Sequence, residues 1–523
     1  MKLHPLISLL ISAVFFFPLV VDAMPRDTTN KVNEVADAKT VTQYCGVCHK
    51  TPTPNLMPAK DWPRAVRAMM DLANTRLKHE FISAEVALSI ATYYYLNAPQ
   101  QLPLLPYYEQ NKDNPRFVAK DIVNKSFTPL VLNIHKVELG MKPGVEFIVG
   151  DAEQNKVLLL NYYQEKWHEK AIANVGIPLH SEILDYDDDG DNDIIIADLG
   201  EFLPNEKLVG KVVLLIQDDN GQFQKAVLLK DVGRITDVRP VDIDNDGDLD
   251  IAVAIFGGAS VGGLVWIEKI GKDNYSLHTL LNGSGALNIS PVDLNNDGKI
   301  DFISLIAQEH EIAVALINKG KGEFEHIKIA EASHPMFGFT SMKLVDLDGD
   351  QDIDVLMTNG DALDLQPDPK PYHGVQWLEN KGNFQFDYHD IGRFYGAAEA
   401  EAGDLDNDGD MDIVASSWNN YWQDNKRQGL IWYENTGGEK FVRHNIAAQP
   451  QQIVSLELKD ITGDGFLDII GGVFRVDMLL DKILFNQSED ALNNERFQGD
   501  LESRVIFFEN NPGTTNEQLS NNN

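Results

Sequence analysis

The chain has 523 residues, and its 80 acidic and 44 basic side chains give it a formal charge of -36. This charge argues against DNA, RNA and anionic lipid as partners, because their phosphates would be repelled. The length exceeds what one hydrophobic core usually serves, so more than one domain is expected. Only two residues are cysteines, so a framework of structural disulfides is not expected even for an exported chain.

The first 23 residues predict a secretory signal peptide. An apolar run from Leu6 to Val21 follows Lys2, and Ala23 is a small residue suited to cleavage before Met24. The run is too short for a stable membrane span, although an uncleaved signal acting as an anchor stays the lesser alternative. No later stretch approaches the roughly 20 apolar residues of a spanning helix. The mature chain is therefore expected without a membrane span, in the periplasm of a Gram-negative bacterium or secreted.

Both cysteines lie in one motif, Cys45-Gly46-Val47-Cys48-His49. C-x-x-C-H is the arrangement of c-type haem attachment, in which the thiols add to the haem vinyl groups and the histidine supplies the proximal iron ligand. A thioredoxin-like dithiol would follow a strand in a βαβ pattern, and a zinc site would need more ligands nearby. Neither context is present, so Cys45, Cys48 and His49 are predicted to hold one covalent haem c.

Two helices are predicted after this motif, over 61–77 and 83–96. In the first, Trp62 and Val66 belong to an apolar set at helical spacing. In the second, Ser83 suits the N-cap position and an acidic residue follows in the first turn. Prolines then end the second helix.

With these elements, about 75 residues from 32 to 106 resemble a small class I cytochrome c, on the attachment motif and the C-terminal helix "EVALSIATYYYL". The resemblance implies a haem domain over 24–108 and a methionine as the sixth iron ligand. Met70 is the predicted ligand. The alternatives that stay open are Met57, Met69 and His79.

Beyond a polar linker at 109–115, a nine-residue acidic unit recurs six times at a period of 51 to 58 residues. Self-similarity at this period indicates stacked supersecondary units. Positions 1, 5 and 9 are aspartate in every copy, and position 3 always offers an oxygen atom. Position 7 varies between Asp, Lys and Phe, so only its backbone carbonyl can be a shared ligand.

Such a set of oxygen ligands suits Ca²⁺, and five or six ions are expected. A solvated acidic turn is the alternative for one isolated copy, but six copies in register favour the cation because clustered carboxylates repel one another. The copy at Asp460 is the doubtful one, since Thr462 and Gly463 weaken it. The predicted metal-binding residues are Asp185, Asp187, Asp189, Asp191 and Asp193; Asp242, Asp244, Asp246, Asp248 and Asp250; Asp293, Asn295, Asp297, Lys299 and Asp301; Asp346, Asp348, Asp350, Asp352 and Asp354; Asp404, Asp406, Asp408, Asp410 and Asp412; and Asp460, Thr462, Asp464, Phe466 and Asp468.

Each unit is followed by short apolar strands, so about 55 residues hold the four strands of a propeller blade. The units resemble FG-GAP/VCBS repeats, the Ca²⁺-loop blades shared with integrin α-subunits, over most of 116–510. A metal-free blade precedes the first unit, which predicts a mainly-β fold: a seven-bladed β-propeller over 116–511 with a small all-α domain before it. Segment 116–123 is predicted as the outer strand that completes the seventh blade, and 512–523 as a disordered tail.

Polar and apolar residues alternate on the strand before each acidic unit, so the polar set is predicted to face a central channel. His180, Glu182, Glu399 and Glu401 could do acid/base chemistry there. A water-filled, charge-balanced channel is the favoured interpretation, because no spacing of a nucleophile and a base can be read from the sequence.

Three functions follow from these features. In the first, an exported electron carrier uses its propeller to recognise a redox partner protein. In the second, the propeller is an oxidoreductase that passes electrons from a sugar or alcohol to the haem. In the third, the chain is an adhesion-type module with a saccharide or protein ligand. The first requires only the residues identified above, and whether the protein is an enzyme is left open.

Overall fold

The computed structural model describes residues 35–108, 116–122, 125–140, 143–258, 260–271, 274–308, 310–361, 368–424, 426–438, 440–475 and 501–512. The predicted signal peptide, the predicted linker at 109–115 and the predicted tail after residue 512 lie outside this part of the chain. Within the described residues, no helix combines the length and the apolar character that crossing a membrane requires.

Residues 35–108 form a helical unit. Its helices are α1 (Ala38–Cys45), α2 (Trp62–Leu77) and α3 (Ala84–Asn97), with short 3₁₀ turns at Pro54–Leu56 and Ala59–Asp61. Asp37 accepts a hydrogen bond from the Thr40 amide at the start of α1, and Ser83 does the same for Val86 at the start of α3. These side chains satisfy amides that the first helical turn leaves without a partner.

The core of the helical unit is built around two stacked aromatic rings. Trp62 of α2 and Tyr94 of α3 lie 3.8 Å apart between ring centroids and are nearly parallel. Val41 of α1 and Met57 are buried in the same cluster, and the Tyr94 hydroxyl donates to the Pro52 carbonyl at 2.8 Å. Burying one such apolar side chain contributes on the order of 2–3 kcal/mol, so this cluster holds the three helices together.

Seven four-stranded antiparallel sheets make up most of the remaining described chain. Blade 1 has β3 (Val131–Val137), β4 (Val145–Asp151), β5 (Lys156–Tyr163) and β6 (Lys166–Asn174); blade 2 has β7 (Pro178–Leu184), β8 (Asp193–Asp198), β9 (Gly210–Gln217) and β10 (Phe223–Val232). Blade 3 has β11 (Ile235–Val241), β12 (Asp250–Ile255), β13 (Gly263–Gly271) and β14 (Asn274–Asn282); blade 4 has β15 (Ser290–Val292), β16 (Asp301–Ile306), β17 (Ile312–Asn318) and β18 (Phe324–Glu331). Blade 5 has β19 (Phe339–Val345), β20 (Asp354–Asn359), β21 (Gly374–Asn380) and β22 (Phe386–Arg393); blade 6 has β23 (Ala397–Gly403), β24 (Asp412–Ser417), β25 (Leu430–Asn435) and β26 (Phe441–Ala447).

Blade 7 joins the two ends of the propeller sequence. Its strands are β27 (Ile453–Lys459), β28 (Asp468–Val473), β30 (Val505–Asn510) and β1 (Phe117–Asp121). β1 pairs antiparallel with β30 in continuous register, and β2 (Lys125–Ser126) pairs with β29 (Glu502–Ser503) beside it. The strand that lies within the predicted segment 116–123 therefore completes the last blade, and the predicted seven-bladed propeller is confirmed.

The first strand of each blade lies nearest the axis. β3 contacts β7 and β27, β7 contacts β11, and β23 contacts both β19 and β27. The second strands are buried at every residue in blades 2 to 7, because both faces of each sheet pack against a neighbouring blade. The core is thus a ring of apolar layers between blades.

Alternating strand directions give the ring two distinct faces. The connections between first and second strands, which hold the acidic units, lie on what we call the loop face. The connections between second and third strands and between successive blades lie on the opposite face, which we call the helix face. Met336 and Tyr372 on this face pack against the core of the helical unit, and the Lys50 ammonium donates to the Glu331 carbonyl at 3.3 Å. The helical unit and the acidic loops are therefore on opposite sides of the ring.

A strap of residues 105–108 fixes the helical unit to blades 5 and 6. The Leu105 amide donates to the Tyr395 hydroxyl at 2.7 Å, and the Arg427 guanidinium donates to the carbonyls of Leu105 and Pro106 at 3.0 and 3.3 Å. Arg427 also lies over the Tyr107 ring at 4.5 Å. Planar guanidinium groups favour such stacked and forked contacts.

Candidate functional site

The six acidic loops share one backbone design. In blade 2, the Asp185 carboxylate at position 1 accepts hydrogen bonds from the amides of Asp189 and Gly190, at 3.2 and 3.1 Å. Gly190 has a φ of 94°, a conformation that glycine adopts without strain. In blade 5 the same place is held by Gln351 at a φ of 76°, because the glycine of that loop has moved to position 4.

The aspartate at position 9 is a buried clamp as well as a predicted ligand. In blade 6, Asp412 accepts from the Leu405 amide at position 2 at 3.1 Å and from the Asn435 amide of the third strand at 2.8 Å. The same pair of bonds occurs at Asp193, Asp250, Asp301, Asp354 and Asp468. Burial raises the pKa of Asp412 to about 7, although the backbone amides oppose the shift.

Blade 1 contains a counterpart of this clamp that sequence reasoning missed. Glu146 is buried and accepts from the Leu139 amide at 3.1 Å, seven residues earlier in the chain. The spacing of seven residues is the one found between position 2 and position 9 in the acidic units. This spacing, which is independent of the residue type, is the signal that could have identified Glu146.

Carboxylate oxygens converge in the loops of four blades. In each group, three side chains place one oxygen atom within 4.8 Å of one another. The groups are Asp185, Asp187 and Asp189; Asp189, Asp191 and Asp219, also in blade 2; Asp242, Asp244 and Asp246; Asp346, Asp348 and Asp354; and Asp404, Asp406 and Asp412. Oxygen ligands at this spacing suit a Ca²⁺ ion, which takes six to eight of them.

The loops of blades 4 and 7 are poorer in charge. Position 3 is Asn295 in blade 4 and Thr462 in blade 7, and position 7 is Lys299 and Phe466, so each loop has two carboxylates fewer than the loops of blades 3, 5 and 6. In blade 4 the Lys299 ammonium also lies 2.7 Å from the Asp297 carboxylate and, as the main influence, lowers the pKa of that carboxyl. Lys299 therefore partly neutralises the negative charge of the blade 4 loop.

A second candidate site lies in the central channel, where the first strands place their alternate residues. On blades 2 and 3, the His180 Nε2 atom lies 3.0 Å from Glu182 and 3.3 Å from Asp237. Arg239 donates to both carboxylates, at 2.5 Å to Glu182 and 3.1 Å to Asp237. Burial alone would raise the pKa of Glu182, but the hydrogen bond from His180 and the charge of Arg239 lower it to about 2.

Blades 5 and 6 contribute a second channel cluster around Lys343. Its ammonium lies 3.2 Å from Glu399 and also contacts Glu401. Burial raises the pKa of Glu401 to about 7, and Lys343 only partly opposes this shift. The four residues predicted as an acid/base set therefore divide into two clusters, with His180 and Glu182 in one and Glu399 and Glu401 in the other.

The cysteine motif lies at the end of α1. Cys45 is the last residue of α1 and is partly buried, whereas Cys48 is exposed, and both thiols are free. Burial raises the pKa of Cys45. The His49 Nδ1 atom lies 2.9 Å from the Lys50 carbonyl, and because a carbonyl can only accept, Nδ1 carries the hydrogen. The lone pair of neutral His49 is therefore on Nε2.

The four candidates for a further ligand lie in different environments. Met70 is partly buried and packs on the core cluster that Cys45 also contacts. Met57 is buried within that cluster, Met69 is 43% exposed, and His79 is exposed with its Nδ1 atom 2.9 Å from the Leu77 carbonyl. Of the three methionines, Met70 alone combines partial exposure with packing on the core near Cys45.

Two buried histidines lie beneath the helical unit, where sequence reasoning gave no signal. The Tyr372 ring meets His334 at 4.6 Å and His373 at 5.3 Å, edge-on in both cases. Among the described residues, the Nδ1 atom of His334 and the Nε2 atom of His373 have no hydrogen-bond partner. Burial lowers the pKa of His334 to about 4, so its imidazole is neutral at pH 7.

A family model for the FG-GAP-like repeat matches residues 185–253 and 293–357. These two segments contain four of the six acidic units, those of blades 2, 3, 4 and 5. Blades 2 to 5 therefore contain FG-GAP-like repeats. No curated protein matches the chain.

Proposed function

We propose that this protein is an exported electron carrier, in which the helical unit holds one covalent haem c and the Ca²⁺-stabilised propeller recognises a redox partner protein. The observation that carries the haem proposal is the state of the C-x-x-C-H motif. Both thiols are free, and the hydrogen bond of His49 to the Lys50 carbonyl leaves Nε2 available as an iron ligand.

The residues of the helical unit fit a haem group in two further respects. Cys48 is exposed, so it can be reached for thioether formation. The unit also leaves large apolar side chains uncovered, at the exposed residues Val35, Val47, Leu88, Tyr95, Leu96 and Leu104. The iron of a bound haem would supply one-electron chemistry, and Cys45, Cys48 and His49 would hold it, with Met70 as the proposed sixth ligand.

The acidic loops are proposed to bind Ca²⁺ in about five or six copies. The convergent carboxylates support this, since they are costly to hold together without a cation. The loops of blades 2, 3, 5 and 6 are the strongest sites, because each places three carboxylates within 4.8 Å. Export from the cytoplasm agrees with such sites, because weak extracellular Ca²⁺ modules work at high Ca²⁺ concentration.

We propose no catalytic role for the channel. His135, His180, Arg239 and Lys343 each contact a carboxylate of a neighbouring blade. This network supports a charge-balanced channel that joins the blades, which leaves recognition to the outer surfaces. No role in binding nucleic acid is proposed, since the chain carries a charge of -36.

The haem proposal is tested by expressing the full chain in a host with haem-maturation machinery. The mass of the purified protein should exceed the polypeptide mass by one haem, and the reduced-minus-oxidised spectrum should show a c-type haem. The Cys45→Ala/Cys48→Ala variant is the control and should lack both signals. Two free thiols and no added mass in the parent protein would reject the proposal.

The Ca²⁺ proposal is tested separately with Tb³⁺, a luminescent substitute excited through nearby indoles. Burial raises the pKa of Asp250 and of Asp354 to about 6, and the neighbouring indoles of Trp266 and Trp377 oppose the shift, so both indoles lie near these loops. Tb³⁺ should therefore luminesce on the protein, and Ca²⁺ should displace it. Trp266→Phe should reduce the luminescence without reducing the number of ions bound, and an absence of Tb³⁺ binding would reject the proposal.

A further inference from the structure

Four basic residues on and beside α2 form no ion pair with any residue that the structure describes. Arg64 and Arg67 lie on α2, Lys60 precedes the helix and Lys78 follows it, and all four are exposed. Within the part of the chain that the structure describes, none of the four forms an ion pair. We call these four residues the cationic stripe.

The stripe is unusual for this chain because its surroundings are acidic. Residues 35–108 contain seven basic and five acidic residues, a net charge of +2, whereas all other residues together carry -38. In such an acidic chain, an exposed lysine or arginine side chain has many carboxylates with which it could form an ion pair. The stripe is therefore an isolated basic surface on an acidic molecule.

Some surface lysines of the propeller, in contrast, are paired with carboxylates. Lys136 lies 2.8 Å from the carboxylate of Glu138, and Lys328 lies 2.6 Å from that of Glu331. Lys319 lies 2.7 Å from Glu325. These pairs neutralise the lysines locally, whereas the charges of the stripe are left for a partner from outside the described chain.

The same helix also exposes apolar surface. The side chains of Met69 and Leu77 are 43% and 41% exposed, between and beyond the basic residues. Protein interfaces combine an apolar patch with a charged rim, and α2 from Arg64 to Lys78 is about 20 Å long at 1.5 Å per residue. A surface of this length that mixes basic and apolar residues suits a folded protein partner better than a nucleic acid. The phosphates of a nucleic acid would also be repelled by the charge of -38 on the rest of the chain.

We propose that the cationic stripe is a docking surface for the acidic face of a partner protein. The asymmetry of charge would orient the molecule so that the helical unit faces this partner, which is distinct from the redox partner proposed for the propeller. Because the contacts are exposed, binding should weaken steeply as salt is added. The proposal does not require haem, so its test is independent of the haem experiment.

The test uses the full chain and a fluorescent deca-glutamate peptide as the acidic probe, followed by fluorescence anisotropy at low and at physiological salt. The parent protein should bind the peptide at low salt, and Arg64→Glu/Arg67→Glu should reduce the affinity at least tenfold. The matched control is Lys319→Glu/Lys321→Glu, which changes the net charge equally at exposed propeller positions and should reduce the affinity less than threefold.

Three outcomes would overturn the proposal. The parent protein would fail to bind the peptide at low salt, both double variants would lose affinity equally, or the parent would bind phosphatidylserine vesicles and not the peptide. Circular dichroism of both variants checks folding, and it should be unchanged because the four substituted residues are exposed.

Discussion

The Nδ1 atom of His135 lies 3.0 Å from the Oε1 atom of Glu457, which joins the first blade to the seventh. The other ring nitrogen of His135 lies 3.5 Å from Glu182 of blade 2. Burial alone would lower the pKa of His135, but the hydrogen bond that His135 donates to Glu457 and the charge of Glu182 outweigh it, so the pKa is raised. One histidine ring thus contacts carboxylates of two other blades at the junction where the ring of blades closes.

Replacing His135 with Gln should therefore destabilise the propeller in a pH-dependent way. A histidine whose pKa is raised on folding stabilises the fold below its unfolded pKa of about 6.5 and loses this effect as the pH rises through the folded pKa. The substitution should cost about 1–3 kcal/mol at pH 6 and less at pH 9. Urea unfolding at both pH values measures the difference, and an equal loss at both would contradict the bridge.

The clamp aspartates should stabilise their loops even without metal. Asp412→Asn replaces one acceptor with a donor that faces the Leu405 or Asn435 amide, so it should cost about 1–3 kcal/mol in a chelator. Asp410→Asn, at a partly exposed position in the same loop, should cost much less under that condition. Denaturant unfolding in EDTA compares the two, and equal stabilities would show that position 9 acts only through a bound cation.

The strap should be held less tightly to the propeller when the two hydrogen bonds of the Arg427 guanidinium are removed. Arg427→Lys keeps the charge but loses the paired bonds to Leu105 and Pro106 and the planar stack on Tyr107. Hydrogen exchange at the Leu105 amide should become about tenfold faster, which corresponds to about 1.4 kcal/mol. The melting temperature of the propeller should be unchanged, and Lys440→Arg, at an exposed residue of blade 6, is the control. Unaltered exchange at Leu105 would show that other contacts suffice.

Proline substitutions at two neighbouring residues of β1 test its register with β30. The Asn511 amide donates to the Arg116 carbonyl at 2.7 Å, and hydrogen-bonded pairs alternate along an antiparallel ladder. In the register of β1 and β30, the Val118 amide therefore faces Glu509, whereas the Ala119 amide faces away. Val118→Pro should be destabilising by about 1–3 kcal/mol more than Ala119→Pro. Thermal unfolding of the two variants decides, and equal losses would place the strand out of this register.

Periodicity predicted the ring, but it could not predict which side chains meet across it. The seven blades and the two main helices follow from local patterns, and the observed bounds of α2 and α3 lie within one residue of the predicted ones. The partner of His135 is Glu457, 322 residues later, and no local pattern encodes that contact. The strap is similar, since Leu105 and Arg427 are also 322 residues apart.

Two parts of the clamps were missed by sequence reasoning, because neither belongs to an acidic unit. Glu146 keeps the clamp of blade 1 without the acidic unit around it, and the Asn435 amide that completes the Asp412 clamp lies 23 residues away. The haem assignment, the metal ligands and Met70 stay predictions. They depend on bound groups, whereas the fold depends only on the chain.

The pairing of β1 with β30 sets a condition on biosynthesis. Phe117 and Asn510 are register partners although 393 residues separate them in the sequence. During synthesis, β1 therefore cannot pair with its partner strand until β30 has left the ribosome. A chain that terminates before residue 505 would lack the third strand of blade 7 and would leave β1 without its partner. Such truncated products would expose an unpaired strand, and proteases or chaperones would meet an open ring rather than a smaller closed one.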